Sequence, residues 1–314
     1  MTLTQLHYIV ALDDFRHFGK AADSCGVTQP TLSMQIQKLE EELGIALFDR
    51  MKQPVEPTEV GMQAIAQARR TLVEARRFSQ VTEMTQSPFQ GHLALGIIPT
   101  VAPYLLHRFL GNFIRRYTHI EVSIEERTTT ECISRLMDHR MDVAILATPL
   151  DTRGLQEIPL YLEPFVAYVP ENHRLSKELF VTRSDLKADD LLLLQEGHCF
   201  RNQALALCEA ANEKRVVRVE TGHFETLIRL ADAGLGMTLL PYLATLDLPS
   251  AQKTRVKPMA EPRPVRQISL VFMEGSPKRK AIEALAHHIE NALPEKVRNT
   301  DGTLEKIPPY FAKA

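Results

Sequence analysis

Tryptophan is absent from this chain, cysteine occurs only four times in 314 residues, and the apolar stretches are short. Each scarcity excludes something. No apolar run approaches the roughly 18 residues a membrane span needs, so no membrane partner is expected. Four scattered cysteines do not make the dense framework of a small secreted scaffold. Met1 is followed by TLTQLHYIVALDDF, with neither a basic leader segment nor an A-x-A site, so the expected compartment is the cytoplasm. Thiols stay reduced there, which disfavours a persistent disulfide and leaves room for a transient one. A net positive excess is also missing, since 37 Lys and Arg against 39 Asp and Glu give a formal net charge of −2. Even the first sixty residues hold more acids (Asp13, Asp14, Asp23, Glu40, Glu41, Glu42, Asp49, Glu56, Glu59) than bases (Arg16, Lys20, Lys38, Arg50, Lys52). A basic footprint therefore does not announce nucleic acid, and any DNA-binding argument must come from geometry. No G-x-S-x-G, P-loop, G-x-G-x-x-G or H-E-x-x-H pattern supports an enzyme. The histidines and cysteines show no metal-ligand spacing, and His287-His288 reads as a helix surface, so neither metal nor cofactor is expected.

What is present begins with short helices over residues 1–57. Leu6, Ile9, Val10 and Phe15 form an apolar stripe, and HFGKAADSCG makes a second helix stopped by Gly26. A third, VTQPTLSMQIQKLEEELG, starts at Thr28 or Gln29, carries Pro30 in its first turn and has Gly44 just past its end. Leu32, Ile36, Leu39 and Leu43 share one face; Pro30, Met34 and Gln37 share the other, beside Thr31, Ser33 and Lys38. Helix, glycine-containing turn and helix with a polar outer face is the layout of a helix-turn-helix, whose second helix enters the major groove. Gln29 and Pro30 would lie at its tip. Gln37 can pair with adenine, Thr31 and Ser33 can reach bases or phosphates, and Arg50 and Lys52 in FDRMKQPVEPT would contact phosphates from a wing. A solvated helical subdomain fits the same pattern.

Residues 58–88 read as one long linker helix. Ile65, Ala68, Leu72 and Ala75 repeat at three-four spacing, which suits pairing with a second copy. SPFQG then breaks the pattern. Over residues 89–300, β-rich runs such as HLALGIIPT, VAILAT, LLLLQ and VVRVET alternate with helical ones, which predicts parallel α/β sheets in two lobes. Residues 301–314 read as a loosely held tail.

Residues 197–211, GHCFRNQALALCEAA, read as a helix bearing Cys199 and Cys208. Nine residues of helix span roughly 13.5 Å and put the two thiols on opposite faces. Cysteines bridge only with Cα atoms within about 7 Å. The pair is therefore either inert packing or a couple that joins when the helix comes apart.

AADSCGVTQPTLSMQIQKLEEELG, then LFDR and TEVG, resembles the winged helix-turn-helix of LysR-type transcription regulators, and the likeness continues over nearly the whole chain. It implies an α/β protein with an N-terminal all-α winged helix-turn-helix, a long linker helix and a two-lobed effector domain like a periplasmic binding protein. Two residues depart from the family pattern: Met34, where many members have a polar or basic residue, and Pro57, in place of an apolar wing residue.

IPTVAPYLL, EGHCFRNQALALC and the cysteine spacing further resemble the family's peroxide-sensing members. That resemblance implies a peroxide-reacting Cys199, a resolving Cys208, and a pocket of Thr100, Thr129, His198 and Arg266. It also implies double-stranded DNA, hydrogen peroxide, RNA polymerase and a glutaredoxin- or thioredoxin-like reductant as partners, in a homodimer or homotetramer that activates antioxidant genes. Peroxide is attacked by the thiolate, which nearby cations favour; His198 and Arg201 adjoin Cys199 in sequence. Cys25 and Cys132 read as small core residues. Joining Cys199 to Cys208 would require the intervening helix to unwind, at a cost set by lost packing more than by loop entropy. Two other readings remain: a LysR-type regulator gated by a small organic anion, its cysteines structural, and an enzyme, either a thiol peroxidase or an α/β-hydrolase-like protein.

Overall fold

The computed structural model describes residues 1–84, 88–187, 190–208, 221–298 and 302–309. The chain forms two units, Met1–Gln86 with Asp138–Arg140, and Ser87–Met137 with Met141–Ala314.

In the first unit, α1 (Leu3–Phe15) opens with a capping box between Thr2 and Gln5. α2 (Phe18–Ser24) is capped by His17, whose ring accepts from the amides of Gly19 and Lys20. α3 (Gln29–Leu43) starts at Thr28, whose hydroxyl accepts from the Thr31 amide, and stops at left-handed Gly44. Leu32, Ile36 and Leu39 are fully buried; Leu43, expected on the same face, is exposed because the helix has run past the core. The wing is one short antiparallel ladder of β1 (Phe48–Asp49) and β2 (Glu56–Pro57), with Phe48 opposite Pro57. Pro57 has no N–H to give, and Thr58 donates instead to the Leu47 carbonyl at 3.0 Å. α4 (Glu59–Met84) follows as one helix of 26 residues. Its expected pairing stripe is partly consumed at home: Ile65 and Ala68 are buried in this unit's core, with α1 packed on the helix. Arg69 clamps that contact, 2.7 Å from carboxylate oxygens of both Asp13 and Asp14.

In the second unit, β3 (Gly91–Ile97) leads to α5 (Ala102–Arg116), β4 (Ile120–Glu126), α6 (Thr129–Met137), β5 (Val143–Thr148) and the long β6 (Leu155–Tyr168). Then come β7 (Leu191–Leu192), α7 (Cys199–Leu207), α8 (Phe224–Asp232), β8 (Met237–Pro241), α9 (Tyr242–Leu246), α10 (Ser250–Lys253) and β9 (Val256–Pro258). The chain closes with β10 (Arg263–Met273), α11 (Arg279–Ala292), α12 (Glu295–Arg298) and β11 (Leu304–Lys306). The strand order is β4-β3-β5-β10-β6-β8-β7, with β9 on β6 and β11 on β10. The expected parallel sheet is mixed: β3 is parallel to β4 and β5, while β10 is antiparallel to β5 and β6. β6 belongs to both lobes. Residues Leu155–Pro164 pair with β10, and Phe165–Tyr168 pair with β8. The α/β class and the two-lobed architecture are borne out.

Three local expectations need correction. LLLLQ gives only the two-residue β7, and most of VVRVET lies outside the described residues. α7 was expected to run to Ala211. It ends at Leu207, where Cys208 turns extended (φ −83°, ψ 124°), although nothing in the local sequence stops a helix; residues 209–211 lie outside the described residues. Both Leu207 and Cys208 are buried, so tertiary packing overrides propensity there. The tail is not loose over residues 302–309, because Leu304–Lys306 extend the sheet along Arg263–Val265 and Ile307 is buried.

Candidate functional site

The outer face of α3 shows Gln29, Pro30, Met34, Gln37 and Lys38 exposed, with Thr31 and Ser33 half-buried. Several polar groups already have partners. The Gln37 amide donates to Glu41 at 3.0 Å, and the Thr28 and Thr31 hydroxyls are 2.8 Å apart. Arg50 pairs with Glu40 at 2.8 Å and Lys52 with Glu56 at 2.6 Å. The exposed Lys52–Glu56 pair is worth about 0–1 kcal/mol, so a phosphate can displace that carboxylate cheaply, whereas Glu40 is largely buried and also accepts from the Leu47 and Phe48 amides.

Four elements of the second unit converge on Cys199. It is the first residue of α7 and is 3% exposed. Thr100 lies in the turn between β3 and α5, Thr129 opens α6, and Arg266 lies on β10; all three are 1% exposed. The antiparallel register sets Arg266 opposite Glu163 of β6. Arg266 donates to Glu163 Oε2 at 2.9 and 2.7 Å, to the Thr100 hydroxyl at 2.9 Å and to the Thr100 carbonyl at 3.0 Å. Glu163 Oε1 accepts from the Leu243 amide at 3.1 Å. The guanidinium also lies 5.0 Å from the centre of the Phe200 ring, immediately after Cys199 in the chain. A buried cation, its carboxylate and two threonines thus sit around one sulfur.

Burial pushes the Cys199 thiol up, against the opposing pull of Arg266, the Thr129 hydroxyl and the amides of Phe200 and Cys199. The Thr129 hydroxyl favours the thiolate, yet it makes no well-directed hydrogen bond among the described residues. The cations expected from sequence adjacency do not act here. Burial, with the charge of His223, pushes His198 below its ordinary value and keeps it neutral at pH 7. Arg201 turns away to the Leu194 carbonyl at 3.1 Å and to Glu196 at 3.7 Å. At Cys199 desolvation outweighs the cation and donors around the sulfur, and the net direction is upward.

Cys208 is also buried, and its thiol donates to the Ala204 carbonyl at 3.5 Å. An unbroken α7 separates the two cysteines, and neither is in a disulfide. Cys132 is fully buried as expected, and Cys25, half-buried where α2 ends, packs against the first unit's core. Glu163 was missed from the sequence. Only the β6–β10 register reveals it, since LEPF carries no local signal.

Residues 3–62 match the bacterial regulatory helix-turn-helix proteins of the lysR family, and residues 86–294 match the LysR substrate binding domain. The chain belongs to the LysR family of bacterial transcription regulators. It is a family of DNA-binding regulators, not of enzymes. The chain is 36% identical to the DNA-binding transcriptional dual regulator OxyR of Escherichia coli, over 98% of both chains. Full-length OxyR of Pseudomonas aeruginosa, solved with a cysteine-to-aspartate substitution, superposes with a TM-score of 0.75 at 34% identity, over 92% of this chain and 98% of that one. An OxyR cysteine mutant of Corynebacterium glutamicum with hydrogen peroxide bound superposes at 0.61 and 31% identity, over 93% and 92%. Among the described residues no helix is long and apolar enough to cross a membrane.

Proposed function

We propose that this LysR-family regulator senses hydrogen peroxide in the cytoplasm through Cys199 and Cys208. One observation carries the reading: Cys199 lies within the Arg266–Thr100–Thr129 cluster, while Cys208 waits at the far end of the same helix. Peroxide entering beside Cys199 shifts the balance of the site. The Cys199 proton leaves, Arg266 and the α7 amides hold the thiolate, and the sulfur attacks one peroxide oxygen. The O–O bond breaks, and the other oxygen takes up the proton and leaves as water. The Thr100 and Thr129 hydroxyls orient the peroxide, and His198, being neutral, can accept or donate a hydrogen bond without repelling Arg266.

The resulting sulfenic acid condenses with the Cys208 thiol, forming the S–S bond and releasing a second water. An intact α7 keeps the sulfurs too far apart, so bond formation requires the helix to unwind. Loss of its buried face remodels the lobe and, through a homodimer or homotetramer, the spacing of the helix-turn-helix units on double-stranded DNA. Engagement of RNA polymerase at antioxidant genes follows, and a glutaredoxin- or thioredoxin-like dithiol resets the switch. The 1–57, 58–88, 89–300 and 301–314 division assigns DNA reading to the first segment, dimerisation to the second and sensing to the third.

The organic-anion reading finds less support, because Arg266 already has Glu163 as its carboxylate. Mass mapping of thiols before and after brief peroxide exposure, with promoter footprinting on the same samples, tests the proposal. A Cys199–Cys208 bond accompanied by a changed footprint is expected; both thiols remaining alkylatable refutes it.

A further inference from the structure

The interior polar side chain of α7 is Gln203, fully buried midway between the two cysteines. Its amide nitrogen donates to the Ile307 carbonyl at 2.6 Å. Its amide oxygen, equally buried, has no hydrogen-bond partner among the described residues. Ile307 also donates its own N–H to the Val265 carbonyl at 2.8 Å, next to Arg266. One residue of the C-terminal segment therefore bridges the strand that carries Arg266 and the helix that carries Cys199. β11 holds the bridge in place as a parallel strand on β10, and Arg183 pairs with Glu305 beside it.

We propose that segment 303–307 is a strap that retains α7 in its reduced, helical form through Gln203, and so sets how oxidising the surroundings must be before Cys199 and Cys208 join. The inference rests on the disulfide switch proposed above. Gln203 cannot follow an unwinding helix and keep its bond to Ile307. The hold is light by construction, because the Gln203 amide oxygen is buried without a partner among the described residues and gains hydrogen bonds once it reaches water. A helix tied by one such bond is retained at rest and is releasable by a single covalent event.

Redox equilibrium with glutathione tests it in the full-length protein: protein dithiol and glutathione disulfide exchange for protein disulfide and two glutathione thiols, read by mass after alkylation. Gln203→Glu turns the donor facing Ile307 into an acceptor, and a chain ending at residue 301 removes the strap. Each is expected to raise the disulfide-to-dithiol ratio at fixed poise by roughly three- to tenfold, the range of one net hydrogen bond. The combination is expected to move it no further than the larger single change. If the shortened chain does not fold, Ile307→Pro, which deletes the N–H to Val265, takes its place under the same criteria. Unchanged ratios, or single effects that multiply in combination, overturn the strap while the unaltered chain still forms its disulfide. An unaltered chain that forms no Cys199–Cys208 bond overturns the switch itself, and the strap with it.

Discussion

Arg266 and Glu163 form a pair in which both side chains are 1% exposed and their closest atoms are 2.7 Å apart. Arg266→Met strands Glu163 with, among the described residues, only the Leu243 amide as donor and leaves the Thr100 hydroxyl without the Arg266 bond. Breaking one side of such a buried pair costs about 3–5 kcal/mol. For a unit of this size each kcal/mol moves Tm by roughly 2–4 °C, so a fall on the order of 10 °C is expected. The same change removes the largest influence opposing burial at Cys199, so the thiol is pushed further up. Every pKa unit gained lowers the thiolate population at pH 7 about tenfold. The double change Arg266→Met with Glu163→Leu separates the two effects, since apolar replacement of a whole buried pair is neutral or stabilising. It should recover most of the lost Tm and none of the lost reactivity. Differential scanning calorimetry reports the first quantity, and stopped-flow loss of Cys199 thiol under peroxide reports the second. Peroxide reactivity returning along with stability would refute the reasoning, because Arg266 would then act only as scaffolding.

Thr129→Val removes a buried hydroxyl that has no directed partner, so Tm should hold or rise slightly while Cys199 oxidation by peroxide slows about tenfold, measured by the same stopped-flow assay. Gly61→Ala would set a Cβ 1.9 Å from the Leu47 carbonyl oxygen, where α4 leaves the wing; operator binding in a gel-shift assay should be lost while peroxide still converts the Cys199 thiol. Burial raises Cys132 from 9.0 to about 12. The folded state keeps this proton while the unfolded chain releases it, so stability is full below pH 9 and falls toward pH 12 by about 1.4 kcal/mol per unit. Cys132→Ala should flatten that slope in urea titrations at several alkaline pH values.

The helix-turn-helix was legible because its signals are local: Thr28 as cap, Pro30 in the first turn, Gly44 at the stop and a period of apolar residues between them. The two-lobed α/β class followed equally from alternation of strand-like and helix-like runs. The site was legible only in part. Cys199 and Cys208 stand out as chemistry, and the family resemblance brought Thr100, Thr129 and Arg266 beside them. The electrostatics ran against sequence adjacency, because His198 is neutralised by burial and Arg201 faces another carbonyl, while the acting cation comes from β10. Glu163 stayed hidden because its role depends on strand register, which the residues around it do not specify. The tail misled for a related reason: LEKIPP carries two prolines and no strong strand signal, and it becomes a strand only because β10 offers an edge.

Amide hydrogen exchange across residues 199–208, followed before and after peroxide in samples whose disulfide is mapped in the same digest, reaches the central claim most directly. Slow exchange over α7 in the dithiol form and fast exchange in the disulfide form is the predicted result. A mapped Cys199–Cys208 bond with α7 still protected would contradict it, since two sulfurs at opposite ends of a persisting helix have no path to each other.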